Sequence, residues 1–105
     1  MKDISQALSR EEARDWALAN IDAFDRVRFL TWLGTTTRAT QELAMLCPPD
    51  KLYELPGGSV CVVEGYHSGL VGVRLLGPGA RQLFVAAGTL TDVTSRERRS
   101  AARTV

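Results

Sequence analysis

The sequence is poor in the residues that chemistry usually needs. It has one histidine, His67, and two cysteines, Cys47 and Cys61. A structural zinc site takes four ligands from cysteine, histidine or carboxylates, and three such residues scattered along the chain do not supply it. The cysteines lie 14 residues apart. They form neither a C-x-x-C pair nor a disulfide framework, so both are expected to be free thiols in a reducing compartment. No apolar run approaches the roughly 18–20 residues that cross a bilayer. The N-terminal stretch MKDISQALSREEARD is polar and of mixed charge, which does not fit a signal peptide. A cytoplasmic protein without a membrane partner is the expectation.

Charge of one sign is also lacking overall. The net charge is +1, with 45% hydrophobic and 24% charged residues, ordinary values for a globular chain. The distribution is less even. Residues 1–94 hold nine basic and eleven acidic residues, whereas residues 95–105 set Arg96, Arg98, Arg99 and Arg103 against Glu97 alone. Arginine outnumbers lysine 11 to 2, which reads first as a GC-rich genome. At 105 residues the chain has the size of one domain.

The chain divides by hydrophobic period. The first part, about residues 3–47, repeats at helical spacing. Ser9 and Glu12 fit a capping box, with Ala13, Trp16, Ala17 and Asn20 following. Asp22 suits the cap of a second helix bearing Phe24, Val27 and Leu30 on a buried stripe widened by Phe29, Trp32 and Leu33. Gly34 fits a left-handed C-terminal position. After the threonines at 35–37, a third helix carries Ala39, Leu43, Leu46 and Cys47 inward and ends at Pro48–Pro49. The second part, about residues 59–88, reads as three strands at residues 59–64, 70–76 and 82–87, joined by two glycine-rich hairpin connections. The expected fold is α+β: two or three N-terminal helices packed on a three-stranded antiparallel β-meander. Residues 1–94 form one compact domain in this reading, and the basic tail at 95–105 is frayed or disordered for want of apolar side chains.

His67 stands beside Ser68 in the stretch CVVEGYHSGLVGVR, residues 61–74. A base and a nucleophile would need a third group to orient them, and none is identifiable. Neighbouring residues on an extended chain point apart. The glycines are explained by a tight turn. Pairing the strands across that turn puts Val63 and Cys61 opposite Val71 and Val73, an apolar face. The glycines of GLVGVRLLGPG lie in and between strands, unlike a phosphate-binding loop. Asp22 and Asp25 read as helix-end carboxylates, and Trp16 and Trp32 as core aromatics. No catalytic residue, cofactor site or metal site is assigned, and an enzyme is the least favoured class.

A protein-interaction module is favoured. Large apolar groups occur on both parities of the second and third strands, so both sheet faces need cover. If the helices cover one, the face bearing Val62, Leu70, Arg74 and Leu76 is the expected surface for a protein partner or a second copy of the chain. The alternative is that helices wrap both faces. A different reading, a nucleic-acid-associated regulator, rests on Arg96, Arg98, Arg99 and Arg103, since phosphate neutralisation needs little more than an arginine cluster. No motif identifies a family. Phage accessory proteins, immunity proteins and other inhibitors are similar in size and style alone.

Overall fold

The computed structural model describes residues 9–77 and 81–103; the first residues of the expected helical half and most of the second hairpin turn lie outside these. The fold is α+β, with helices α1 (Arg10–Asp22), α2 (Arg26–Leu33), α3 (Arg38–Leu46) and α4 (Thr94–Arg103) and strands β1 (Leu52–Glu54), β2 (Val60–His67), β3 (Leu70–Leu75), β4 (Gln82–Val85) and β5 (Thr91–Asp92). The strands form one antiparallel sheet in the order β4-β3-β2-β1-β5. The meander β2-β3-β4 is therefore one side of a five-stranded sheet, which β1 and β5 extend beyond β2. Residues 86–90, with a 3-10 turn at Ala87–Thr89, carry the chain from one edge of the sheet to the other.

Local chemistry sets the helix ends. The Ser9 hydroxyl accepts the Glu12 N–H at 3.1 Å, as its sequence position foretells. Asp25, not Asp22, caps α2 by accepting the Arg28 N–H at 2.9 Å, and α1 runs on through Asp22. Thr37 caps α3 through the Thr40 N–H. Gly34 closes α2 with φ −66°, so the expected left-handed end is not used.

The sheet is covered on both faces, the alternative that the sequence left open. On one side Ala17, Leu18 and Ile21 of α1 pack on Leu52, Val60, Val62 and Val93, with Trp16, Leu76 and Ala101 of α4 at the margin. On the other, Leu43 and Cys47 from the α3 end, with Ala87 and Leu90 of the crossing segment, pack on Tyr53, Cys61, Val63, Val71 and Val73.

The basic tail corrects a second expectation. Residues 94–103 form α4 rather than a frayed end. The Asp92 carboxylate accepts the Thr94 N–H at 2.9 Å and its hydroxyl at 2.7 Å, satisfying a donor that the first helical turn leaves open. The Thr94 hydroxyl in turn accepts the buried Leu52 N–H at 2.9 Å. Thr94, Glu97 and Ala101 form the inward face. That face is small and polar, which is why it lacks the large-residue stripe by which helices are recognised in sequence.

Candidate docking surface on the second and third helices

His67 ends β2, and Ser68 (φ 53°) and Gly69 (φ 80°) form the two-residue turn to β3. Two successive positive φ values are the geometry of a tight hairpin turn. The sequence-based pairing is off by two residues near the β2 start, where Cys61 lies opposite Leu75 and Val63 opposite Val73. A shift of even size keeps every side chain on its face. Toward the turn the register slips once more at a bulge between Val63 and Gly65. Gly65 sits at this bulge, not at a positive-φ turn position. The His67 ring lies beside Phe84, with centroids 6.3 Å apart. The site is a hairpin end, with Ser68 shaping the turn.

The four residues expected to form one exposed patch are separated in role. Val62 is buried beneath α1, and Leu76, like Trp16, packs against Ala13. Arg74 Nε donates to Glu64 Oε2 at 3.0 Å across the hairpin. Only Leu70 is among the exposed large apolar residues. The expected open face is closed where Val62 and Leu76 lie because α1 and α4 stack there together.

The arginine cluster is likewise divided. Arg96 Nη2 lies 2.8 Å from Glu54 Oε2, and Arg98 Nη2 lies 2.7 Å from Asp22 Oδ1. Both guanidiniums hold α4 to the body. The hydrogen bond from Arg98 holds the Asp22 carboxyl below the usual carboxylate range. Arg99 and Arg103 are exposed on the same helix.

The exposed apolar surface lies instead on α2 and α3. Val27 is 76% exposed, Leu30 51%, and Met45 and Leu46 each 72%. Val27 and Leu30 are three apart on one helical face. Leu30 and Met45 line the same cleft, of about 280 Å³, with Phe24, Phe29 and Pro48 at its apolar wall and Arg26, Asp50 and Lys51 at its polar wall. A second cleft, lined by Arg38, Gln41 and Glu42, continues from Met45 to Leu46. The helices bury little: Leu33 is the one buried residue of α2 and Ala44 of α3.

Aromatic stacking and two tyrosine hydroxyls fix this helix pair on the sheet. Phe24, Phe29, Trp32 and Tyr66 run in succession with centroids 5.3, 5.8 and 6.3 Å apart. The Tyr66 hydroxyl donates to the Cys47 carbonyl, and the Tyr53 hydroxyl donates to the Pro48 carbonyl at 2.8 Å. Burial pushes both phenols up from their usual range. Asp50 takes Arg26 Nη1 on Oδ2 at 3.3 Å, while its Oδ1 is buried with no hydrogen-bond partner among the described residues. The cleft thus joins apolar side chains to the charged groups of Arg26, Asp50 and Lys51.

No protein-family model matches this sequence, and no match is found among curated proteins or solved structures.

The sequence did carry a signal for this surface. Val27, Phe29, Leu30, Trp32 and Leu33 occupy more of the helical circumference than one buried face needs. The hydrophobic period places the whole set inward, whereas the eight-residue α2 buries only Leu33. Among the described residues, no helix is long and apolar enough to cross a membrane.

Proposed function

We propose that this chain is a small non-enzymatic protein-interaction module that docks a protein partner on the α2–α3 surface. The observation that carries the reading is the run of Val27, Leu30, Met45 and Leu46 around a cleft with a polar wall. Contiguous apolar surface rimmed by charge is the usual signature of a binding face. At about 280 Å³ the cleft falls just short of typical small-molecule sites. It suits an anchoring side chain, as in helix-in-groove recognition. The partner presents an apolar side chain to Leu30 and Met45. An inhibitor or accessory protein works by such a surface.

The test compares partner capture by wild type, Leu30→Glu, Met45→Glu and Leu70→Glu, followed by affinity measurement with the purified partner. Leu30→Glu and Met45→Glu should each weaken binding at least about tenfold, the loss of a central apolar contact, with the fold intact by circular dichroism. Leu70→Glu, on β3, should bind as wild type. Equal binding by all four proteins would sink the reading.

A nucleic-acid-associated role through Arg96, Arg98, Arg99 and Arg103 has weaker support. Two of those guanidiniums already face carboxylates of the same chain. Removal of residues 95–105 does not test this role cleanly, because it removes most of α4. Arg99→Ala with Arg103→Ala is the appropriate variant, and binding of DNA or RNA that falls steeply with salt and vanishes in it would support this role.

A further inference from the structure

The two edges of the sheet are built differently. β5 is two residues long, its Asp92 is engaged by Thr94 and Lys51, and the chain turns from it directly into α4. A short edge carrying a charge is protected against further strand addition. β4 is the opposite case. It ends the sheet among the described residues, and residues 82–90 contain no charged residue and no proline. Its register with β3 is regular from Val85 to Gln82, without a bulge.

The direction of the free backbone groups follows from the pairing. The Leu75 N–H donates to the Arg81 carbonyl at 3.0 Å, and Val73 lies opposite Leu83 and Val71 opposite Val85. In an antiparallel ladder these alternate residues face the neighbouring strand, so the N–H and C=O groups of Gln82 and Phe84 point away from the sheet. Ala86 is extended, with φ −70° and ψ 143°, and its N–H follows the same alternation. Its carbonyl is taken by the Thr89 N–H at 3.0 Å and the Thr89 hydroxyl at 2.7 Å.

We infer that the β4 edge pairs with the β4 edge of a second copy of this chain, antiparallel about a two-fold axis at Phe84. In this register Phe84 exchanges its N–H and C=O with the Phe84 of the second copy, and each Ala86 N–H meets the Gln82 carbonyl across the axis. The side chains are self-complementary. Leu83 falls opposite Val85 on one face and Phe84 opposite itself on the other, so apolar groups meet apolar groups on both. The nearest charge, Arg81, lies about 20 Å from its counterpart, beyond effective repulsion. Because β5 does not accept a strand, the pairing closes at two copies instead of growing into a filament. This contact is separate from the α2–α3 surface and leaves it open.

Sedimentation velocity over a concentration series tests the inference. The wild-type chain should shift toward twice the 11.5 kDa chain mass. Phe84→Lys and Phe84→Glu each place like charges directly opposite, roughly 5 Å apart at Cβ, and should each weaken the dimer at least about tenfold. An equimolar mixture of the two should recover it. Phe84→Pro removes an outward N–H while sparing the ladder bonds of Leu83 and Val85, and should also abolish pairing with the circular dichroism spectrum unchanged. A wild type that stays at the chain mass throughout overturns the inference, including one whose edge accepts only another protein's extended peptide. So does a dimer that survives Phe84→Lys, or charge variants that do not recover on mixing.

Discussion

At the residue scale, the hairpin joining β2 to β3 separates conformation from chemistry. Gly69 holds φ 80° and a Cβ there would meet nothing within 4 Å, so only backbone strain opposes a side chain. Gly69→Val should cost about 1–2 kcal/mol or more, the penalty of the left-handed region for a branched residue, measured by urea unfolding. His67→Ala should leave both stability and partner binding close to wild type; a loss of binding at unchanged stability would return His67 to a functional role. Gly65 was legible as a special backbone position but not as a bulge, because a slip in register leaves no mark that differs from a turn glycine.

Cys61 gives a prediction in pH. Burial, with Cys47 nearby, pushes its thiol from 9.0 to about 12. The folded chain holds this proton where the unfolded chain releases it. The stabilising contribution is thus complete below about pH 9 and declines as pH rises toward 12. Urea midpoints should fall over that interval, and Cys61→Val should reduce the fall. An unchanged slope in the variant would show that other groups carry it.

At the scale of elements, α4 changes what the C-terminal sequence means. Read alone, RERRSAAR is a basic tail. Folded, Arg96 and Arg98 reach Glu54 and Asp22, Thr94 serves the Leu52 N–H, and Ala101 meets the α1 core. Ending the chain after Thr94 should lower stability by roughly 2 kcal/mol or more, through apolar surface returned to water, and the melting temperature by about 10 °C. An unchanged melting temperature would mean that α4 contributes nothing to the fold. Three helices, three strands and both hairpins were legible because each repeats large apolar residues at a clear period. α4 was not, since its inward face is Thr94, Glu97 and Ala101. β1 and β5 were not, since three and two residues are too few to show a period.

At the scale of the molecule, covering both sheet faces moves the exposed apolar surface from the sheet to the helices. On an open sheet face, Leu76→Glu would block assembly without unfolding the chain. With Leu76 packed on Ala13 and the α1 cluster, it should instead destabilise the chain, by about 1–3 kcal/mol for a charge set against apolar neighbours. Leu43→Glu, facing the cluster around Cys61 and Val73, should do so more severely. Thermal melts of both beside Leu30→Glu check the partition: the first two should fall and the third should hold. A partner-facing role for Leu76 would be recovered if it melted like wild type. The apolar content of the sheet was legible, but its cover was not, because α4 could not be seen as a helix.

The passage of residues 86–90 from one edge of the sheet to the other has a consequence for synthesis. Ala17, Leu18 and Ile21 leave the ribosome more than 70 residues ahead of Val93 and Ala101, which help to enclose them. The β-hairpins can form as their residues emerge, whereas β5 and α4 must wait for residues 91–103. Until those residues emerge, the nascent chain presents an incompletely covered α1 to chaperones. A chain that has emerged only as far as residue 92 has α2, α3 and the strands β1–β4 available and the first cluster still open to water.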